Sequence, residues 1–171
     1  MKIAITGTSQ GLGKAIKKEL QTNYTICEFR RSFKYDLTKI ENIKLFAKSY
    51  APIDVLILNA GISYFYKINE LTQLEIINII NTNLICNVFL VQEILAVCNL
   101  KHIIAISSNS AIEAFPTNSV YAASKAGLSQ FLKCVKKEKP EIKICNFYHF
   151  QSLICFFSEH IFIISFSLLK I

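Results

Sequence analysis

At 171 residues, 52% of them apolar, the chain is long enough to bury one sizeable core and too short to suggest two. Its net charge of +7 comes from lysines spread over helix faces, among them Lys14, Lys17, Lys18, Lys133, Lys136 and Lys137. No base-reading motif accompanies them, which argues against nucleic acid and for a solvated basic surface that also attracts a phosphorylated ligand. Six cysteines form no Cys-x-x-Cys pair and have no histidine at metal-ligand spacing, so reduced, buried thiols in a cytoplasmic protein and no metal site are expected.

Met1 and Lys2 lead directly into a short strand, with no signal-peptide pattern. Lys2 to Thr6 is predicted as a buried first strand, followed by a glycine turn. An amphipathic helix then runs to about Leu20, with Leu12, Ala15, Ile16 and Leu20 at the helical period. Thr25 to Phe29 is a second strand. The next unit, Arg30 to Asp36, has no room for a crossover helix, so it is either a brief edge strand or an extended loop. Thr38 and Glu41 have capping-box spacing at the head of a helix running to about Ser49. Val55 to Leu58 is the continuous apolar run that a strand buried on both faces requires.

Thr72 and Glu75 form a second capping-box pattern, opening a long helix to about Cys98 that changes character near Asn81 to Asn83. Lys101 to Ser107 is a further strand, Asn118 to about Lys137 a helix, and Lys143 to Phe147 a sixth strand. Strands alternating with helices predict an α/β doubly wound parallel sheet of the Rossmann kind, with a nucleotide site at the carboxyl ends of its strands.

The helix from Asn118 carries Tyr121 and Lys125 four residues apart, hence on one face. A free phenol titrates near 10, and an ammonium beside it favours the phenolate, so this spacing can supply a tuned general acid. The same pair is also a common solvated surface arrangement. Thirteen residues before Tyr121, Ser108 stands where the end of a buried strand would present a hydroxyl; Ser107, Asn109 and Ser110 are alternative donors. The first turn, Thr6-Gly7-Thr8-Ser9-Gln10-Gly11-Leu12-Gly13, lets backbone approach a pyrophosphate at a helix N-terminus, or is simply a glycine-rich strand-to-helix turn.

Ser108, Tyr121 and Lys125 at this spacing resemble the serine, tyrosine and lysine of the short-chain dehydrogenase/reductase family. The glycine turn, Asn59-Ala60-Gly61, and Asn83 within Asn81-Thr82-Asn83-Leu84 match further family motifs in order. The resemblance implies hydride transfer between a nicotinamide cofactor and a carbonyl or alcohol substrate. In it Tyr121 is the proton donor and Ser108 hydrogen-bonds the reacting oxygen. Lys125 lowers the tyrosine pKa and holds the nicotinamide ribose, and Asn83 positions a relay water, or merely kinks a long helix. Gly7, Ser9, Gln10, Gly11, Leu12, Gly13, Asp36, Leu37, Asn59, Ala60 and Gly61 would bind the cofactor together with Tyr121 and Lys125. By the same resemblance the acid that selects NAD(H) would fall at Phe29, whereas Arg30 or Arg31 falls where arginine meets the 2′-phosphate of NADP(H), so NADP(H) is favoured. Glu28, one position early, leaves an ambiguity.

The resemblance stops after the sixth strand. No glycine follows Gly127 and no proline follows Pro140, so the family's Pro-Gly turn and seventh strand are missing. The expected organisation is a Rossmann-like domain over 1–147 and an atypical apolar tail over 148–171. That tail packs on the core or is a non-native reading of a truncated or frameshifted gene; a membrane helix is disfavoured by its Glu159, His160 and Lys170. The alternative function is a nucleotide-binding remnant or regulatory module with little turnover. The expected partners are a small-molecule carbonyl or alcohol and further copies of the chain.

Overall fold

The computed structural model describes residues 1–30 and 36–148. Five strands, β1 (Lys2–Thr6), β2 (Thr25–Phe29), β3 (Val55–Leu58), β4 (His102–Ile106) and β5 (Lys143–Phe147), form one sheet in the order β2-β1-β3-β4-β5. Every pairing is parallel, in registers such as Ile3 against both Ile26 and Val55, and Ile103 against Ile144. The chain therefore winds outward from β1 to one side and then from β3 to the other. The crevice between the carboxyl ends of β1 and β3 is the point where a doubly wound sheet receives a ligand.

Alternate strand residues face opposite layers. Ala4, Leu56, Leu58, Ile103 and Ala105 pack on α2 (Ile40–Tyr50), α4 (Cys86–Val97) and α5 (Ser119–Glu138). Ile3, Ile5, Val55, Ile57, Ile104 and Ile106 join the opposite cluster with α1 (Gly11–Leu20). All four residues of β3 are buried, as the uninterrupted Val-Leu-Ile-Leu run requires for a strand covered on both sides. Phe46 of α2 has no exposed surface and lies 4.6 Å, centroid to centroid, from Phe29 of β2. Truncating such a ring to alanine costs about 3–5 kcal/mol, so this contact fixes α2 to the sheet edge. Cys27, Cys86 and Cys98 are buried free thiols, whereas Cys134 is exposed.

The sheet has five strands among the described residues where six were expected. Of the sixth candidate, residues 33–35 lie outside the described residues, and Asp36 itself is not in a strand. The capping box of Thr72 and Glu75 forms as predicted at the head of α3 (Gln73–Ile80). The one expected at Thr38 does not. Asp36 Oδ1 accepts from the Thr38 backbone N–H at 3.0 Å and from its hydroxyl at 2.8 Å, so Thr38 belongs to the turn and α2 begins after Lys39. The long helix predicted from residue 72 to about Cys98 is α3, a π-helical turn over Asn81–Ile85, and α4. Residues 149–171, the predicted tail, lie outside the described residues apart from its first residue, Tyr148.

Candidate active site

The turn after β1 is built so that two segments of backbone nearly touch. Gly7 and Gly11 have φ of +71° and +54°, values that side chains with a Cβ rarely adopt. A Cβ on Gly13 would stand 2.1 Å from the Gly7 carbonyl oxygen and 2.3 Å from Asn59 Nδ2, so only glycine fits. Asn59 staples this turn to the end of β3: its Nδ2 donates to the carbonyls of Thr6 and Gly7 at 3.0 and 2.9 Å. In return the Thr6 hydroxyl oxygen accepts from the backbone N–H groups of Asn59 and Ala60. Helix α1 begins at Gly11 with no side-chain cap and no acid in its first turn, so its N-terminal N–H groups keep their positive end toward the crevice.

That crevice is a cleft of ≈ 690 Å³. It is lined by Gly7, the Ser9–Gly13 stretch, Arg30, Asp36, Leu37 and the Asn59–Gly61 turn, as the sequence motifs lead one to expect. Arg31 lies outside the described residues. Phe29, Thr38, Ile62, Tyr64, Asn78 and Thr82 also line it and were not expected. Asn78 and Thr82 come from the α3 to π-turn junction, which no local motif ties to the first turn; only the fold brings them there.

Glu28, the ambiguous residue of β2, has its carboxylate committed. It accepts the Thr8 hydroxyl at 2.6 Å and pairs with Lys17 Nζ at 2.7 Å and Arg30 Nε at 3.3 Å. Burial acts to raise its pKa, but the Lys17 and Thr8 hydrogen bonds and the charges of Lys17 and Arg30 outweigh it and hold the carboxyl below its usual range. Two cations thus share the Glu28 carboxylate at this end of the cleft.

At the other end, Gly61 touches the second group of candidates. A Cβ added at Gly61 would stand 3.4 Å from both Asn83 Oδ1 and Lys125 Nζ. Asn83 has no exposed surface: its Oδ1 accepts from Ile62 N at 2.8 Å, and its Nδ2 donates to Ile62 O at 2.8 Å and to Ser124 Oγ at 3.1 Å. Its side chain is thus a strut between the β3 turn and α5, with both amide hydrogens engaged. Asn87 Nδ2 reaches the carbonyls of Thr82 and Asn83, which fits the widened π-turn there.

Lys125 is 5% exposed and donates from Nζ to the Ile106 carbonyl at 2.8 Å. Nζ also stands 5.7 Å from the centre of the Tyr121 ring. Burial lowers the Lys125 pKa to about 8. The expectation that Lys125 pulls the phenol down is not what this geometry gives. Burial raises the Tyr121 pKa, and the lowering influence comes from the Ser108 hydroxyl facing it. Lys125 spends its charge on the Ile106 carbonyl instead. Ser108 is 6% exposed, and the hydrogen bonds it closes are with Ser110. Ser107 turns the other way, bonding Ser129 at 3.1 Å. Of Ser107, Ser108, Asn109 and Ser110, Ser108 is the one whose hydroxyl acts on the Tyr121 phenol.

Residues 28–146 match the family model described as short chain dehydrogenase. Among curated proteins, the NADP-dependent 3-hydroxy acid dehydrogenase of Schizosaccharomyces pombe is 26% identical, over 83% of this chain and 67% of that protein. Among solved structures, serine dehydrogenase from Escherichia coli superposes with a TM-score of 0.80 at 17% identity, covering 97% of this chain and 89% of that one. An alcohol dehydrogenase from the archaeon Thermococcus sibiricus, complexed with 5-hydroxy-NADP, gives 0.72 at 20% identity, over 88% of this chain and 76% of that one. At these identities the two structures are a likeness of fold.

Proposed function

This chain belongs to the short-chain dehydrogenase family, and from that premise we propose that it is an oxidoreductase working between NADP(H) and a carbonyl/alcohol pair. The observation that carries the reading is the convergence of Ser108, Tyr121 and Lys125 beside Gly61, which lines the same cleft as a glycine turn too tight for any Cβ. The glycine turn, the uncapped head of α1 and the Asn59–Gly61 turn hold the cofactor's pyrophosphate and adenosine side, and Asp36 and Leu37 flank the adenine. When bound, the nicotinamide supplies or accepts the hydride. Tyr121 gives its proton to the substrate oxygen and Ser108 donates a hydrogen bond to the same atom, so charge developing there meets donors already in place. Lys125 holds the nicotinamide ribose, and Asn83 supports it by fixing the Gly61–Ile62 turn.

Preference for NADP(H) is supported by Glu28. With its carboxylate taken by Thr8, Lys17 and Arg30, it is not available to a ribose 2′-hydroxyl, and it holds Arg30 at the cleft wall where a 2′-phosphate would lie. The S. pombe relative is named NADP-dependent, and the T. sibiricus structure contains an NADP derivative, which supports the same choice.

The test is to titrate the purified protein with NADPH and NADH and then assay a panel of carbonyl substrates alongside Tyr121→Phe. Tighter NADPH binding with turnover that Tyr121→Phe removes is the expected result. NADPH binding without any reduction would return the chain to the class of nucleotide-binding modules. Full turnover in Tyr121→Phe would place the acid elsewhere. Self-association is part of the proposal, supported by an exposed apolar stripe along α3 and α4: Leu74, Ile77, Ile85, Phe89 and Val97.

A further inference from the structure

Behind Ser108 lies a second pair of buried polar residues that the proposed chemistry does not use. Ser110 and Asn118 are 7% and 4% exposed. Ser108 Oγ donates to Ser110 Oγ at 3.2 Å and accepts the Ser110 backbone N–H at 3.2 Å. Asn118 Nδ2 donates to the same Ser110 Oγ at 2.7 Å. Asn118 is the N-cap residue of α5, a position where an asparagine ordinarily bonds the helix's own free N–H groups, yet it makes no capping bond. The residue before it, Thr117, is the one non-glycine residue with positive φ among those described, at 62°, a costly conformation for a β-branched side chain. The loop thus gives up a helix cap and accepts strain, and the gain visible in the structure is the contact of Asn118 with Ser110.

We propose that Ser110 and Asn118 are positioning residues for Ser108, forming a donor chain that runs from the Asn118 amide through the Ser110 hydroxyl to the Ser108 hydroxyl. The proposal rests on the reading of Ser108 and Tyr121 as the reacting pair. A hydroxyl donates one hydrogen bond and accepts two, and its hydrogen rotates without any heavy atom moving. With Asn118 occupying one lone pair of Ser110, the Ser110 hydrogen can turn onto Ser108 Oγ. Ser108 is then released from donating to Ser110, and its own hydrogen turns toward Tyr121 and the substrate oxygen. Each donor in such a series strengthens the next. The groups facing the phenol are Ser108, from the loop after β4, and Lys125, one turn along α5.

The experiment compares Ser110→Ala, Ser110→Thr and Asn118→Leu with the wild type. The Tyr121 ionisation is followed by NMR of ring-labelled tyrosine, assigned with Tyr121→Phe, and kcat, KM and NADPH affinity are measured in parallel. Ser110→Ala and Asn118→Leu should raise the Tyr121 pKa and lower kcat by about tenfold, the scale of one neutral hydrogen bond, with NADPH affinity unchanged. Ser110→Thr, which keeps the hydroxyl, should restore both. Asn118→Leu keeps the size and removes the donor without adding charge, so it tests the donor even if Ser110→Ala fails to fold. An unchanged Tyr121 titration in Ser110→Ala or Asn118→Leu overturns the proposal. Undiminished turnover by Tyr121→Phe would instead sink the reading of the reacting pair, while the titration would still decide whether the donor chain exists.

Discussion

Two glycines that look alike in the sequence should respond oppositely to alanine. A methyl on Gly13 meets backbone, the Gly7 carbonyl at 2.1 Å, and nothing nearby can move without unmaking the turn. Gly13→Ala should cost upward of about 3 kcal/mol or destroy nucleotide binding, which thermal melting and an NADPH titration would show. At Gly127 the methyl meets the end of the Leu84 side chain at 3.0 Å, a flexible group. There the gain in helix propensity, up to about 1 kcal/mol, offsets the crowding, so Gly127→Ala should melt within a few degrees of wild type. The same scale exposes what a sequence conceals. The spacing of Tyr121 and Lys125 was legible, but not the burial that takes the lysine down to about 8. A lysine depressed from its ordinary 10.5 burdens the fold while protonated, and that burden is fully present below about pH 8. The unfolded chain binds the extra proton between about 8 and 10.5, so stability rises with pH across that window. Relative to Lys125→Met, the wild type should gain on the order of 2 kcal/mol between pH 7 and pH 10, read from urea midpoints at each pH.

Among the elements, two threonines with the same capping pattern differ because of what precedes them. Thr72 has its hydroxyl oxygen accepting the Glu75 N–H at 3.2 Å while Glu75 Oε2 accepts the Thr72 N–H at 2.9 Å. Thr38 has an aspartate two residues before it, and that carboxylate captures both its N–H and its hydroxyl. Thr72→Ala should therefore cost about 1 kcal/mol, the usual worth of an N-cap, whereas Thr38→Ala should cost a fraction of that, since an exposed turn replaces the hydroxyl with water. Denaturant unfolding of the two variants checks the contrast. Strands β1 and β3 were legible because burial on both faces demands unbroken apolar runs. The π-turn was visible only as a change in character at Asn81 to Asn83, since the bonds made from within it, those of Asn83 to Ile62 and Ser124, span 21 and 41 residues of sequence. Arg30 depends on both scales: its type was readable, its pairing with Glu28 was not. Arg30→Ala should weaken NADPH by roughly ten- to a hundredfold and spare NADH, and equal loss for both cofactors would remove the 2′-phosphate role.

For the whole molecule, the run from Gln73 to Val97 poses the largest question, because its 25 residues contain an 18-residue window of mean hydropathy 1.6 and so pass the length and composition test for a membrane span. The structure gives it two faces. Ile79, Leu90, Val91 and Ile94 are at most 1% exposed and built into the core, so placing this run in a bilayer would dismantle the domain. The other face leaves Leu74 67% and Ile77 53% exposed, with Ile85, Phe89 and Val97 continuing the stripe. Apolar side chains aligned on one surface mark a contact more often than isolated ones do. A two-fold contact between copies buries roughly 1,200–2,000 Å² in total. A helical run of this length extends about 37 Å, enough to supply one side of such a contact and, by symmetry, the other. The protein should therefore elute as a dimer or larger at micromolar concentration, and Ile77→Glu with Phe89→Glu should convert it to a monomer without altering NADPH affinity. Light scattering of both proteins, with sedimentation alongside lipid vesicles, reads the outcome. A wild type that is monomeric throughout would remove the interface, and one that sediments with vesicles would give the stripe to a lipid surface.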